Sequence, residues 1–270
     1  MRWDKDSRFE INRVVIKNRK IKKPVTFAVI ADLHNCCYGR DNRRLFDALV
    51  KEEPDAVLIA GDLIEAGINA SEEEGLKLLY MLSGRFPVYY GVGNHEKKLF
   101  TRSMYQRQRD ELVFGLKRSG VRLMHNTSYE LPDSNVCIKG LDIPHEYYRR
   151  VIHKKTSGRK LEGLLGRPDR KSFNILLAHD PSHFKAYAEY GADLVLSGHV
   201  HGGMVRLPYV GGLFSPEYKF FPKYDAGIYR LGHTRMLVSR GLGSHTINIR
   251  INNTPELIML RLERDEKWKR

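Results

Sequence analysis

The sequence predicts an α/β protein, and two observations lead to this prediction. In the first half, apolar runs of strand length alternate with segments whose apolar residues recur at helical spacing. In the second half, short strand-like runs predominate and a single helical segment interrupts them. Polar residues follow the ends of most of these runs. Because sites in α/β folds lie beyond the carboxyl ends of strands, these polar residues are the candidates for function.

The strands predicted in the first half are short apolar runs, and the β-branched run VTFAVIA is typical of a strand buried on both faces. These strands are INRVVIKN (11–18) at an edge, VTFAVIA (25–31), DAVLIAGD (55–62) and PVYYGVGNH (87–95). The predicted helices are NRRLFDALVKEEP (42–54), SEEEGLKLLYMLSGRF (71–86) and QRQRDELVFGLKRSG (106–120). The second helix begins at a serine with acids in its first turn, and the third ends at a glycine, as helix termini commonly do.

The second half is predicted to be mostly strand. Its strands are VRLMHN (121–126), NVCIKGLD (135–142), FNILLAHD (173–180), ADLVLSGH (192–199), AGIYRLG (226–232), TRMLVSRG (234–241) and ELIMLRLER (256–264). The helix PSHFKAYAEYG (181–191) lies between the third and fourth of these strands. The stretch 145–171 is polar and basic without a clear strand, which predicts an insertion or lid.

Length and composition suit one domain over residues 1–270, with 41% hydrophobic residues to form a core. No apolar stretch approaches the roughly 20 residues of a membrane-spanning helix. The N-terminal residues lack the apolar region of a secretory signal, and three cysteines make no disulfide framework. We therefore expect a cytoplasmic protein, with a peripheral position on the cytoplasmic face of the membrane as an alternative.

The net charge of +14 is concentrated in two segments. Residues 1–23 contain nine Lys and Arg against three acids, and residues 147–171 contain nine against two. The rest of the chain is close to neutral. Clustered positive charge suits an anionic partner, which could be a phospholipid surface, nucleic acid or a phosphorylated substrate. Two solvated basic faces that only aid solubility are the alternative.

Residue types that bind metals follow five of the apolar runs. Strand alternation would place Asp32 and His34 on one face, and likewise His199 and His201. Each motif alone has an ordinary explanation in turns or packing, but together, at successive strand ends, they indicate a metal site. A set of Asp, Asn and His without cysteine favours Mn, Fe or Zn, and its size suffices for two ions. The residues are Asp32, His34, Asp62, Asn94, His95, His179, His199 and His201.

The chain resembles the calcineurin-like metallophosphoesterase family. The resemblance rests on five sequence blocks between residues 32 and 201, which read D-x-H, G-D, G-N-H-E, H and G-H-x-H. The ending GHVHGG…SRGLG…R…NTPEL looks like its bacterial phosphodiesterase-like branch, which includes membrane-associated enzymes and enzymes that cleave UDP-diacylglucosamine. The resemblance implies a four-layer α/β sandwich, in which two mixed β-sheets are flanked by helices and the metal site lies at the carboxyl ends of strands.

The resemblance also implies a role for each residue. One metal ion would be held by Asp32, His34 and His201, and a second by Asn94, His179 and His199, with Asp62 bridging the two. We expect manganese, with iron or zinc as alternatives. His95 would face the phosphate as a catalytic residue, and Glu65 would orient His95. The role of Glu96 stays open.

One departure from the family pattern indicates the substrate class. In the protein phosphatases of this family, an arginine in the second block clamps a phosphomonoester dianion, whereas this chain reads GDLIEAG and has Ala66 there. A phosphodiester carries one negative charge and needs that clamp less. The expected reaction is hydrolysis of a phospholipid, lipid-linked or nucleotide-like diester by in-line attack of a metal-held hydroxide at phosphorus.

The segment 204–227 follows the last metal-ligating histidine and mixes aromatic with basic side chains. Amphipathic aromatics beside cations suit a lipid surface or a lipid-linked substrate, and a loop that folds its aromatics onto the core is the alternative. Stacking aromatics also suit single-stranded nucleic acid, so a nuclease is the second functional hypothesis. A third hypothesis is a scaffold that keeps the fold without catalysis. Such proteins usually lack some metal ligands, whereas this chain contains all of those expected, so catalysis is favoured. The segment contains Tyr209, Phe214, Tyr218, Phe220, Phe221 and Tyr224 with Arg206, Lys219 and Lys223.

Overall fold

The computed structural model describes residues 8–148, 155–207, 211–214, 220–244 and 250–266. Parts of the three surface segments discussed above therefore lie outside the described residues. These parts are residues 1–7, residues 149–154 of the predicted lid, and residues 208–210 and 215–219 of the aromatic segment, which include Tyr209, Tyr218 and Lys219.

The first sheet has six strands. Four of them come from the N-terminal half of the chain, lie side by side and run parallel to one another. Its strands are β1 (Glu10–Asn18), β2 (Val25–Ile30), β3 (Ala56–Ile59), β4 (Val88–Gly91), β5 (Arg122–Met124) and β14 (Glu256–Arg264). The order is β1-β14-β2-β3-β4-β5. The sheet is mixed because β14 pairs antiparallel with β2 and parallel with β1. The predicted edge position of the first strand is confirmed.

The second sheet also has six strands and is also mixed. Its strands are β6 (Thr127–Leu131), β7 (Val136–Gly140), β8 (Phe173–Leu177), β9 (Leu194–Ser197), β12 (Gly227–Leu231) and β13 (Thr234–Val238). The order is β12-β13-β9-β8-β7-β6, with antiparallel pairs only at its two edges. A separate hairpin follows β9 and consists of β10 (Val205–Leu207) and β11 (Gly211–Phe214).

Three apolar clusters show that the layers stack as helix, sheet, sheet and helix. On β2, Phe27 and Val29 pack with Ile175 of β8 between the sheets, whereas Ala28 and Ile30 pack with the helices outside. A third cluster covers the outer face of the second sheet. The helices are α1 (Arg43–Glu52), α2 (Glu73–Ser83), α3 (Asn94–Thr101), α4 (Gln106–Ser119), α5 (Gly158–Leu165) and α6 (Phe184–Tyr190). The predicted four-layer α/β sandwich is confirmed.

The structure adds four elements that the sequence patterns did not reveal. They are β6, α3, α5 and the β10–β11 hairpin. The predicted strand over 87–95 ends at Gly91, and α3 begins at Asn94. Within the predicted lid, α5 begins at the Ser157 N-cap and packs its buried Leu161 in the same apolar cluster as α6. Among the described residues, no helix has the length and apolarity needed to cross a membrane.

Candidate metal centre

The predicted metal ligands lie just beyond the carboxyl ends of five strands, six of them in loops and Asn94 at the first residue of α3. Asp32 and His34 follow β2, Asp62 follows β3, and Asn94 follows β4 in the first sheet. His179 follows β8, and His199 and His201 follow β9 in the second sheet. Since β2, β3 and β4 are parallel neighbours, and so are β8 and β9, these loops emerge at one edge of the sandwich.

Five of the seven ligands have left-handed backbone conformations. The φ angles are 50° at Asp32, 48° at His34, 51° at Asp62, 73° at His199 and 54° at His201. Such angles cost roughly 1–3 kcal/mol each for residues with a Cβ atom and occur where the surroundings enforce them. The side chains of Asp32 and His34, and those of His199 and His201, therefore converge because the chain turns sharply after each strand. The expectation that strand alternation aligns them is wrong, since β2 ends at Ile30 and β9 at Ser197.

The first ligand group consists of Asp32, His34 and His201, all buried. The Nε2 atoms of His34 and His201 lie 3.2 Å apart. Asp32 Oδ1 lies 3.5 Å from His201 Nε2 and 3.8 Å from His34 Nε2. Two atoms that each bind one ion at about 2.1 Å are about 3 Å apart when their bonds are roughly perpendicular. These separations fit a shared divalent ion.

The second ligand group lies beside the first and is joined to it by Asp62. Asp62 Oδ2 is 3.0 Å from His179 Nε2 and 3.8 Å from His34 Nε2, so this carboxylate reaches both groups. His199 Nδ1 lies 2.7 Å from Asn94 Oδ1. Asp62, His179 and His199 also form a group with ligand atoms close enough to hold one ion. The structure thus brings together all seven predicted ligands.

Backbone carbonyls fix the orientation of two of the histidines. His179 Nδ1 lies 2.8 Å from Ala60 O, and His201 Nδ1 lies 3.0 Å from Gly243 O. A carbonyl only accepts hydrogen bonds, so each Nδ1 carries a proton, and Nε2 is the atom that faces the ligand cluster and would bind a metal ion after losing its own proton. This arrangement is how proteins prepare histidine to bind a metal, and it shows that the residues fit divalent ions.

The electrostatics of the cluster also suit cations. Burial lowers the pKa of His179, but the nearby carboxylates of Asp62 and Asp32 outweigh burial and raise the pKa to about 10. Burial raises the pKa of Asp62, but the surrounding imidazoles, His179 above all, hold that pKa well below the ordinary carboxyl range. A buried carboxylate such as that of Asp62, held in its ionised form, gives the site a preference for positive charge.

His95 lies at the start of α3, between the metal ligands and the loop after β3. Its backbone N–H donates to Asp62 Oδ1 at 2.7 Å, and its ring meets that of His34 edge-on. The backbone N–H of Ala66 donates to His95 Nδ1 at 3.0 Å. The orienting hydrogen bond expected from Glu65 is therefore supplied by the neighbouring backbone group. The assignment of Glu65 as a catalytic residue stays a prediction.

Glu96 is a positioning residue that the sequence interpretation left without a role. Its fully buried carboxylate accepts hydrogen bonds from the backbone N–H groups of Asp62 and Gly93, both at 2.9 Å, and of Ile64 at 3.1 Å. The hydroxyl of Tyr90 donates to it at 2.6 Å. Burial, followed by the charge of Asp62, raises the pKa of Glu96 to about 7. The sequence signal for this role was the position of Glu96 three residues after Gly93, because an acid at the third residue of a helix commonly accepts hydrogen bonds from N–H groups of the preceding loop.

Residues of the C-terminal motif SRGLG…NTPEL contact the loops that carry the candidate metal ligands. The buried Asn253 donates to the carbonyl groups of His201, at 2.6 Å, and of Gly203, at 2.5 Å. A Cβ atom on Gly243 would lie 2.0 Å from the carbonyl oxygen of Leu33, so only glycine permits this approach. These contacts fix the loop that carries His201 against the loop that carries His34.

A second residue missed from sequence is Arg250, the arginine of that motif. The residue is half-buried, and its guanidinium donates to Gly243 O and to Ser244 Oγ at 3.1 Å. Burial lowers the pKa of Arg250. Because Gly243 O also binds His201 Nδ1, the guanidinium and a metal-ligating imidazole share one carbonyl group. The sequence motif SRGLG…R…NTPEL contains this arginine, but the motif by itself indicated no role for it.

The comparisons with known proteins agree with this site. Residues 25–203 match the family model described as calcineurin-like phosphoesterase. The matched region contains every ligand proposed above, and it spans well over half of the chain. The chain therefore belongs to the calcineurin-like phosphoesterase family, and it is a metal-binding hydrolase of phosphoric esters.

Individual relatives are more distant. The chain is 28% identical over 215 residues to the uncharacterized metallophosphoesterase YkuE of Bacillus subtilis, covering 79% of this chain and 69% of YkuE. It is 27% identical over 249 residues to the phosphodiesterase YaeI of Escherichia coli, covering 88% of this chain and 82% of YaeI. Among solved structures, a dimetal phosphatase from Danio rerio aligns with a TM-score of 0.43 and 15% identity, covering 80% of this chain and 87% of that one.

Proposed function

We propose that this chain is a phosphodiesterase that works with two divalent metal ions. Asp32, His34 and His201 would hold one ion, and Asn94, His179 and His199 would hold the other, with Asp62 shared. The observation that carries the proposal is the position of Asp62, whose carboxylate lies within 3.8 Å of a ligand nitrogen in each group. When bound, the ions would activate water and neutralise charge on the phosphoryl oxygens.

The side chain of His95 would act on the reacting phosphoryl group. Because its Nδ1 accepts the N–H of Ala66, the neutral ring carries its proton on Nε2. That N–H would donate to a phosphoryl oxygen or to the departing alkoxide oxygen, where negative charge grows during the reaction. The hydrogen bond from His95 N–H to Asp62 fixes the start of α3 relative to the ligands.

The preference for a diester is supported by the absence of a clamp at residue 66 and by the name of one relative. Ala66 offers only its backbone N–H, and His95 already accepts it. The Escherichia coli relative YaeI is named a phosphodiesterase. We expect manganese as the native ion, with iron or zinc as alternatives, since carboxylate, amide and imidazole ligands suit all three.

A substrate panel tests this function. The purified protein is loaded with Mn²⁺, Fe²⁺ or Zn²⁺ and assayed on bis(p-nitrophenyl) phosphate and p-nitrophenyl phosphate, with Asp62→Asn as the inactive control. We expect diester hydrolysis to exceed monoester hydrolysis in kcat/KM. A higher kcat/KM for the monoester would contradict the proposal. Inhibition of diester hydrolysis by single-stranded DNA, followed by cleavage of that DNA, would favour the nuclease hypothesis.

We further propose that the aromatic segment brings the enzyme to an anionic membrane surface. Phe220 and Phe221 are 72% and 61% exposed, and their backbones lie beside β11, where Phe221 N–H donates to Leu213 O. Bulky apolar side chains exposed next to each other gain free energy by entering the headgroup region of a bilayer. The basic segments 1–23 and 147–171 would add attraction to anionic lipids. The substrate would then be a phospholipid or lipid-linked diester.

A further inference from the structure

A polar cavity of about 260 Å³ opens beside the metal centre. Its walls come from the loop after β2, the loop after β3 and the first turn of α2, and Ser244 lies at its remaining side. His34 lines the cavity and also belongs to the metal-ligand cluster. A phosphoryl group at the metal ligands would therefore have one of its ester substituents directed into this cavity.

The lining of the cavity is rich in groups that form hydrogen bonds. Glu65 contributes a half-buried carboxylate, Asn69 an amide, and Ser71 and Ser244 hydroxyl groups. Apart from His34, the described lining residues include no aromatic and no branched aliphatic side chain. A nucleobase normally stacks on aromatic rings and an acyl chain needs apolar walls. The cavity therefore suits neither of them.

One buried side chain in the wall has hydrogen-bonding capacity that the protein does not use. Both Nδ2 and Oδ1 of Asn35 are buried, and neither has a hydrogen-bond partner in the structure. Buried amides in folded proteins are nearly always paired, and an exception calls for an explanation. Asn35 directly follows the metal ligand His34 and lines the cavity.

The charge and size of the cavity narrow the chemistry further. Glu65 and Glu74 bring two carboxylates to the wall, and no lysine or arginine is among the described lining residues. Glu74 is paired with Lys77, whose Nζ lies 3.6 Å from Glu74 Oε1, and it accepts a hydrogen bond from Cys37 Sγ at 3.1 Å. The Glu65 carboxylate would therefore be the main acceptor for hydroxyl and ammonium groups, and it would repel a second anionic group. A volume of about 260 Å³ equals that of about nine water molecules at about 30 Å³ each, enough for a small alcohol.

We propose that this cavity binds the alcohol portion of the phosphodiester, and that this alcohol is small and carries hydrogen-bond donors, as glycerol and ethanolamine do. The inference rests on the proposed phosphodiesterase function. In this assignment the alcohol donates to the Glu65 carboxylate and forms hydrogen bonds with the Asn69 amide and the Ser71 hydroxyl group, which line the same cavity. The assignment gives Glu65 a part in substrate specificity.

The test compares esters that differ only in this alcohol. Phosphodiesters of p-nitrophenol with glycerol, ethanolamine or butanol are assayed with the manganese-loaded protein by release of p-nitrophenol. In parallel, calorimetry measures the Kd of glycerol 3-phosphate, phosphoethanolamine and butyl phosphate, which needs no catalysis. The variant Asn69→Ala/Ser71→Ala removes two exposed polar groups of the cavity. The control Ser103→Ala/Gln106→Ala removes similar groups from exposed positions before and at the start of α4.

We expect kcat/KM for the glycerol or ethanolamine ester to exceed that for the butyl ester about tenfold, the effect of one or two net hydrogen bonds. The Kd values should follow the same order, and the larger of the two ratios identifies the alcohol. Asn69→Ala/Ser71→Ala should bring the ratios towards one, whereas the control keeps them. Equal values for all three alcohols in both assays would overturn the inference. Absence of diester hydrolysis together with selective binding would refute the proposed function but support the cavity assignment.

Discussion

The carboxylate of Glu96 accepts a hydrogen bond from the backbone N–H of Asp62 at 2.9 Å. The same oxygen atom accepts the N–H of Gly93, also at 2.9 Å. One buried acid therefore joins the loop that presents the shared metal ligand to the loop that precedes Asn94. The ligand positions depend on this connection, because five of the ligands have a left-handed backbone that only surrounding contacts can maintain.

Replacement of Glu96 by glutamine tests this connection. The amide NH₂ group of glutamine would face backbone N–H groups that now donate to the carboxylate. We therefore expect metal affinity to fall about 10–100-fold, as for other residues that hold metal ligands in place. The free energy of unfolding should fall by about 1–3 kcal/mol because buried donors lose their acceptor. Metal titration and thermal unfolding measure the two effects. Glu111→Gln, at an exposed position of α4, is the matched control. Unchanged metal affinity in Glu96→Gln would show that the loops hold the ligands without this acid.

Removal of the His95 side chain should separate catalysis from metal binding. Because the ring would donate a hydrogen bond to the reacting group, we expect His95→Ala to lower kcat about 10²–10³-fold. The metal content should stay near two ions per chain, measured by atomic emission spectroscopy. His233→Ala, at an exposed hairpin position, should retain full activity. Joint loss of metal and activity would instead identify His95 as a metal ligand, since its ring also lies near His34 and Asp62.

The stability contributed by Asp225 should depend on pH. Burial raises the pKa of Asp225, but hydrogen bonds from Tyr229 and the Gly212 N–H, and the charge of Arg206, lower it overall. A carboxyl group with a lowered folded-state pKa stabilises the fold above its ordinary pKa of 3.8 and loses this effect as pH falls through the lowered value.

We therefore expect Asp225→Asn to lower Tm at pH 6 by about 2–4 °C, the effect of about 1 kcal/mol in a domain of this size. The difference from wild type should shrink as the pH is lowered below 3.8. Differential scanning calorimetry at both ends of this range measures it, with the exposed Asp47→Asn on α1 as the control. A Tm difference that is constant with pH would rule out the carboxylate as the source of the stabilisation.

The exposed phenylalanines should be required for membrane binding. Burial of one such side chain contributes about 1.5–3 kcal/mol, so Phe220→Ser/Phe221→Ser should weaken partitioning to vesicles containing anionic phospholipid by tenfold or more. Vesicle flotation at moderate salt measures the bound fraction. Ile228→Ser, which removes a 52% exposed side chain from the edge strand β12, is the control. If wild-type protein does not float with anionic vesicles, the membrane proposal fails.

The metal ligands could be predicted from sequence because their local signal is strong. Each of Asp32, Asp62 and His179 follows an apolar run that forms a buried strand, and parallel strands bring their carboxyl ends to one edge. The contacts that position these ligands could not be predicted in this way. Ala66 acts through its backbone N–H, Asn253 binds a carbonyl group distant in the chain, and Arg250 binds the turn at Gly243 and Ser244, and no periodicity reports such contacts.

The sequence by itself predicted the layered α/β architecture, the seven candidate ligands and the family. Apolar periodicity fixes which segments are buried, and the residue types at the strand ends fix the available donor atoms. Only the tertiary structure decided how the ligands converge, which atom of each imidazole is available, and that Glu65 lines a cavity beside His34. These features depend on backbone turns and on contacts between distant residues, and both arise only when the two sheets pack together.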